Sequence, residues 1–256
     1  MAIELITYAI VRNPGPDAAE GLTTQSGRPP RQAVLQQQHA AYCHALVALG
    51  VELIRLEPEP GYPDAYFVED TAVVTPEVAV ITRPGAIERR GEEHAVAQIL
   101  QRYRTLKVIH PPGTLDGGDV MIVDRHVYIG LSRRTNPHGA DQLTRILAPY
   151  DYHCTQVAVH DGLHLKSSVN SLGDQQLLLH ASWADRPEFD GYDKILVDPS
   201  EAHACNTLWF NGHLIIPEGY PQTRALLEAT GKPLISVQTS QIHRMDGGLT
   251  CLSIRF

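Results

Sequence analysis

The chain has no long apolar run. Its hydrophobic residues, 43% of 256, are broken into short stretches, so no membrane-spanning helix is expected. The opening stretch MAIELITYAIVRNPG lacks a basic segment followed by an apolar one and a cleavage site, so no secretory signal is expected either. Cysteine is scarce. Cys43, Cys154, Cys205 and Cys251 lie far apart, without CxxC and without the Cys/His spacing of a zinc finger. They read as reduced thiols of a cytoplasmic protein. Positive charge is in deficit, with 21 Lys and Arg against 29 Asp and Glu, which argues against a nucleic-acid partner and is compatible with a cationic ligand. No GxGxxG follows a strand, and the glycines of LDGGDV do not make that pattern, so no dinucleotide site is expected.

What is present is a repeated grammar of strands and helices. Residues 3–11 read as a strand, followed by a polar loop of about twenty residues, long enough to suggest a lid or binding loop. Leu35, His39, Tyr42, Leu46 and Leu49 then recur at helical spacing, and Gly50 suits the helix stop. VELIRL is a strand. From Phe67 two strands flank a turn at Pro76-Glu77, and a helix with Val96, Ile99, Leu100 and Tyr103 inward leads to the strand LKVIH. From Gly117 two strands flank Asp124-Arg125. Asn136 caps a helix opened by Pro137, with Ala140, Leu143, Ile146 and Leu147 inward, and a strand near Val157 follows. NSLGDQQLLLHAS is again paired strands, but WADRPEFDGYDK shows no clear helix. Asn211-Gly212 marks a hairpin, a helix runs from Pro221 to a stop at Gly231, and KPLISVQ and LTCLSIRF are strands.

Strand–strand–helix–strand units thus begin near residues 69, 118, 166, 205 and 250, and the last is completed by the N-terminal strand, helix and strand. The expected fold is α/β: five ββαβ modules around an axis, one domain over 1–256, closed by pairing of the N- and C-terminal segments. A doubly wound open sheet is the alternative. It fits less well because paired strands precede each helix. In a ring, module starts face one centre. These starts bring together Glu69 and Asp70, Asp116 and Asp119, His164 and Lys166, Cys205 and Asn206, and Cys251. A thiol needs a base or cationic neighbour, an imidazole can protonate a leaving amine, and carboxylates hold a cation by charge-assisted hydrogen bonds. The set suits attack on a planar amidino or guanidino carbon. Singly, each member has a plainer account: an ion pair, a turn cap, a structural histidine, a packed thiol. On LTCLSIRF read as a strand, Leu249, Cys251, Ser253 and Arg255 share the more polar face, after a Gly247-Gly248 turn.

The strings FVED, ITRPGA followed by Arg89-Arg90, LDGGDV, GLSRRTN, DGLHLKS, AHACN and DGGLTCLS, in that order along the chain, resemble the dimethylarginine dimethylaminohydrolase family, which belongs to the guanidine-modifying superfamily with the five-bladed α/β propeller. The resemblance implies hydrolysis of Nω-methylated L-arginine to L-citrulline and a methylamine without a cofactor or metal. By position it implies Cys251 as nucleophile, His164 as general acid and then base, and Asp116 as the carboxylate orienting the histidine. Asp70 would bind the guanidinium with Glu69 adjacent. Asp64 and the carbonyl of Leu22 would hold the α-amino group, Arg89 and Arg134 the α-carboxylate, and Met245 would offer backbone contact. The expected partner is a small guanidino amino acid, not a nucleic acid or a membrane, and a homodimer stays open. The alternatives are a hydrolase of arginine or citrulline, or a non-catalytic binder of arginine derivatives. Zinc would act on a Cys251/His164 pair only as an inhibitor.

Overall fold

The computed structural model describes residues 5–160 and 162–256. Ile3 and Glu4 of the expected first strand, and Asp161 of DGLHLKS, lie outside the described residues. Along the chain come β1 (Tyr8–Arg12), α1 (Gln32–Ala48), β2 (Glu52–Leu56), β3 (Ala72–Val74), β4 (Val78–Ile81), α2 (Glu93–Leu100), β5 (Thr105–Val108), β6 (Val120–Val123), β7 (His126–Leu131), α3 (Pro137–Leu147), β8 (His153–Ala158), β9 (Val169–Ser171), β10 (Gln176–His180), β11 (Asp193–Val197), β12 (Leu208–Phe210), β13 (His213–Pro217), α4 (Pro221–Glu228), β14 (Leu234–Val237), α5 (Ser240–His243) and β15 (Ile254–Arg255).

The strands form five three-stranded sheets, β15-β1-β2, β3-β4-β5, β6-β7-β8, β9-β10-β11 and β12-β13-β14. In each, the middle strand pairs antiparallel with one neighbour and parallel with the other. A parallel pair needs a crossover, and in four sheets a helix supplies it. Between β10 and β11 the crossover is two 3-10 turns, Ala181–Trp183 and Pro187–Phe189, so that module is reduced as the sequence suggested. The buried rings of Trp183 and Phe189 stack there and fill the space of a helix face. The first and last segments share one sheet, with Ile10 opposite Ile254 and Leu53 beside Ala9. Residues of β15, β3, β6, β9 and β12 all line one cavity of about 330 Å³.

Local chemistry explains the elements. Asn136 Oδ1 accepts the N–H of Gly139 at 2.9 Å and Pro137 sits at the first turn of α3. Asn211 and Gly212 have φ of 44° and 80°, the pair of left-handed residues that a type I′ hairpin requires. On α1, Leu35, His39, Tyr42 and Leu46 are buried, and this face packs with Phe67, Phe210, Leu249 and Leu252. Burying one such leucine contributes about 1.5–3 kcal/mol. The helix therefore anchors the segment that carries Cys251, and Tyr42 Oη reaches Ser253 Oγ at 2.6 Å.

Two expectations are corrected. The first strand is Tyr8–Arg12, shorter than 3–11. Ahead of it the Ile6 N–H donates to the side chain of Asn211 and not to a neighbouring strand. The tail is not one strand: Thr250–Leu252 is a 3-10 turn and only Ile254–Arg255 pairs. Leu249 and Ser253, expected on the polar face, are both fully buried. Every module in fact opens on a 3-10 turn: Val68–Thr71, Gly117–Asp119, Leu165–Ser167, Pro199–Cys205 and Thr250–Leu252.

Asn136 also accepts from Thr114 N and donates to Pro112 O. Asn136→Ala should therefore lower stability toward the upper end of the about 0.5–2 kcal/mol range for a lost cap, read from urea unfolding.

Candidate active site

The turns around Asp70, Gly118, His164 and Cys251 pack closely because glycine lets the backbones close up. A Cβ on Gly118 would stand 2.6 Å from His164 Nδ1 and 2.9 Å from Asp70 Oδ1, and one on Gly117 would overlap the Glu69 carbonyl. Gly247 and Gly248 likewise abut the Phe67 ring and the Asn206 amide. Close approach is what these paired glycines supply. The left-handed residue of that stretch is Asp246, at φ 57°.

Cys251 is partly buried and its Sγ accepts the Gly248 N–H at 3.4 Å. It lines one small pocket with Leu22, Asp64, Phe67, Asp70, Arg89, Arg134, Leu163, His164, Met245, Asp246 and Gly247. Of the expected residues, only Asp116 and Glu69 lie outside that lining. Asp116 is fully buried behind the imidazole, its Oδ2 3.0 Å from His164 Nε2, while its Oδ1 accepts Gly85 N–H. Asp70 accepts Gly118 N–H on Oδ1 at 2.9 Å and Arg89 Nη1 on Oδ2 at 2.5 Å, with His164 Nε2 3.9 Å away.

These contacts set the charge states. Burial drags His164 down, but Asp70, Asp119 and the Asp116 hydrogen bond outweigh it and hold the imidazole up at about 9. Burial pushes the Cys251 thiol up, and Glu69 and Asp70 push further, to about 12, against the Gly248 N–H and Lys166. Burial also raises Asp70, but His164, Arg89 and the Gly118 N–H together leave it well below the usual carboxylate range. At neutral pH the resting site thus holds an imidazolium, a neutral thiol and an ionised Asp70.

At the far end, burial raises Asp64 above the ordinary range. Its Oδ2 accepts Leu22 N–H at 2.9 Å. Arg134 Nη1 is buried, has no hydrogen-bond partner among the described residues and lies 3.9 Å from Asp116 Oδ2. Arg89 is committed: its guanidinium bonds Asp70, the Phe67 carbonyl and the buried Glu92, whose Oε2 lies 2.7 Å from Nη2. Burial lifts Glu92 to about 7 despite that partner. The loop carrying Leu22 lies shut. Asp246 accepts Thr24 N–H at 2.5 Å, Thr24 Oγ1 at 3.1 Å and Gln25 Nε2 at 2.6 Å, and Thr23 Oγ1 donates to Arg244 O. The space left there is about 20 Å³, room for about one water and far too little for an amino acid, so lining groups shift when one enters.

Glu69 faces away from this pocket. Its Oε1 meets Lys166 Nζ at 2.6 Å and Arg255 Nη2 at 3.0 Å, and its Oε2 accepts Thr250 Oγ1 at 2.7 Å. Asp119 accepts Leu165 N–H and Ser132 Oγ, which seats the turn after His164. Two participants were not expected, Glu92 behind Arg89 and Asp246 against the loop, and Asn206, expected at the centre without a role, sits beside Thr250. Its position at a module start was the signal that placed it there. Asp70, Asp116 and His164 are the one group among the described residues whose ligand atoms, within 4.8 Å of one another, could hold a metal ion. Those atoms are already engaged with Arg89, Gly118 and each other.

A family model described as N,N dimethylarginine dimethylhydrolase, eukaryotic, matches residues 23–186. The chain is 38% identical over 254 residues to the N(G),N(G)-dimethylarginine dimethylaminohydrolase of Pseudomonas aeruginosa, covering 98% of this chain and 100% of that one. It is 36% identical to the enzyme of that name from Streptomyces coelicolor, covering 96% of each. A solved structure of the Pseudomonas aeruginosa protein, a cysteine-to-serine mutant complexed with citrulline, superposes with a TM-score of 0.96 at 37% identity over 98% of this chain and 100% of that one.

Two tests follow from the geometry. An imidazole at about 9 when folded and 6.5 when unfolded binds its proton more tightly in the native state. That stabilisation, on the order of 3 kcal/mol, is full below pH 6.5 and lost as pH rises through about 9. The unfolding free energy of the parent minus that of His164→Gln should shrink over this window in urea titrations. Asp246→Ala should speed amide exchange at Thr24 by about tenfold or more, since hydrogen bonds to a charged group contribute about 1.5–3 kcal/mol.

Proposed function

The chain belongs to the dimethylarginine dimethylaminohydrolase family, and from that premise we propose that it hydrolyses Nω-methylated L-arginine, asymmetric dimethylarginine and monomethylarginine among them, to L-citrulline and a methylamine. The observation that carries this reading is the pocket shared by Cys251, His164, Asp70, Asp64 and Arg134, where a thiol, an imidazole, two acids and a guanidinium meet.

In this reading Asp70 takes the substrate guanidinium, with Glu69 supporting the turn beside it. Asp64 and the Leu22 carbonyl hold the α-amino group. Arg134 takes the α-carboxylate as a fork, with Arg89 alongside, and Met245 contributes backbone contact near the reactive carbon. Holding both ends of the substrate positions that carbon, which is where orientation lowers the barrier most. The docking cation offsets the acids that keep the Cys251 proton on, and the thiol releases it to solvent. The thiolate attacks the guanidinium carbon. His164, an imidazolium oriented by Asp116, protonates the departing amine as its C–N bond breaks. The amidino group is then on sulfur, and neutral His164 takes a proton from the attacking water. The C–S bond breaks with its electron pair going to sulfur, and the thiolate takes a proton back from solvent. As citrulline leaves, its new urea oxygen gives up its proton to solvent, where the methylamine freed in the first half takes it up. No cofactor or metal enters these steps.

We read the five sheets as blades of a five-bladed α/β propeller and residues 1–256 as one catalytic domain. The cavity lined by all five first strands supports that reading. The four cysteines are free thiols, which supports a cytoplasmic location. Among the described residues no helix is long and apolar enough to cross a membrane.

Purified protein incubated with asymmetric dimethylarginine should release dimethylamine and citrulline, well above any ammonia or ornithine released from arginine or citrulline. Cys251→Ser should abolish turnover and leave equilibrium binding of asymmetric dimethylarginine within about threefold, because the change removes a group used only in the transition state. Ammonia from arginine without dimethylamine would overturn the substrate assignment, and turnover by Cys251→Ser would overturn the nucleophile.

A further inference from the structure

Asn206 closes the 3-10 turn Pro199–Cys205 and is buried. Its side chain touches the segments of both reacting groups. Oδ1 accepts the N–H of Thr250, the residue before Cys251, at 2.9 Å. Nδ2 donates to the carbonyl of Lys166, two residues after His164, at 3.1 Å, and to Thr250 Oγ1 at 3.2 Å. An amide's O and N are assigned from their partners, and here the partners decide. A backbone N–H can only donate and a backbone carbonyl can only accept.

We propose that Asn206 is a positioning residue that sets the spacing between the His164 imidazole and the Cys251 sulfur. The inference rests on the roles given above to those two groups and adds a residue to them. A circuit of hydrogen bonds supports it. Asn206 bonds Lys166 O and Thr250, Thr250 Oγ1 donates to Glu69 Oε2, and Glu69 Oε1 returns to Lys166 Nζ. Glu69 reaches Lys166 through a flexible side chain, whereas Asn206 grips main chain on both sides. A carboxamide of this length alone offers an acceptor for Thr250 N–H and donors for Lys166 O and Thr250 Oγ1 together. Asp in its place keeps the acceptor, loses both donors and sets a second carboxylate near Glu69. Gly248 completes the fit, since a Cβ there would overlap the Asn206 amide.

The test uses full-length N206A and the isosteric N206D, with Glu201→Ala as a control for lost stability. Glu201 lies in the same turn but caps α4 through Gln222 N, Thr223 N and Thr223 Oγ1. Turnover of asymmetric dimethylarginine is expressed per titrated Cys251, and iodoacetamide alkylation of Cys251 is followed against pH. In N206A and N206D, kcat should fall about a hundredfold with KM changed less than about threefold, the loss that a misplacement of about 1 Å produces. The alkylation profile should shift along the pH axis in both. Glu201→Ala should lose thermal stability yet keep its kcat and profile. Parent-like kcat and profile in either Asn206 variant that folds, or an equal kcat loss in Glu201→Ala, would overturn the proposal. If the parent turns over no methylarginine, the functional reading fails. The alkylation profiles still decide for or against Asn206.

Discussion

The carboxylate of Glu69 is buried among Lys166, Arg255 and Thr250, which come from segments far apart in the chain. Taking a carboxylate out of water costs several kcal/mol unless partners offset it. Here Lys166 from one remote segment and Thr250 and Arg255 from another converge on one carboxylate, which ties three turns together. Neighbouring residues of one turn then face opposite ways. Glu69 joins the lining of the central cavity, with Lys166, Thr250 and Arg255, and Asp70 joins the lining of the reactive pocket, with His164 and Cys251. The ion-pair cluster is the floor between the two spaces. Remove it and the pocket has no fixed base.

Much of this was legible from local chemistry. The cap at Asn136, the hairpin at Asn211-Gly212, the stops at Gly50 and Gly231 and the missing helix after β10 each depend on a few consecutive residues, and each is found where the residues put it. What the sequence hid depends on remote partners. LTCLSIRF alternates like a strand, yet Thr250 N–H is taken by Asn206 Oδ1, and a residue held by a side chain from another module cannot also pair in a ladder. Arg89 is a similar case. Its place in the chain says nothing of the Asp70 carboxylate and the Phe67 carbonyl that take up its guanidinium, which only the folded packing reveals. The candidate site was legible as a set because the modules repeat, so equivalent positions converge. Which member touches the pocket and which braces it was not, because that turns on the direction of one side chain in a short turn.

The protons tell a consistent story about the resting molecule. The thiol is held up by burial and two acids, and the imidazole is held up by three. The acids therefore keep a proton on the thiol and on the imidazole at the same time. Both effects come from the same negative field, and a cation placed inside it relieves the first more than the second, because Asp116 stays hydrogen-bonded to the imidazole.

The latch on the entrance loop has a mechanical corollary. Asp246, which fastens Thr24 and Gln25, is followed directly by Gly247 and Gly248, and Gly248 N–H rests on the sulfur. Doorway and reactive atom are thus geared through three consecutive links of main chain. A displacement of the loop that drew Asp246 with it would reach, two residues on, the peptide N–H that rests on the sulfur.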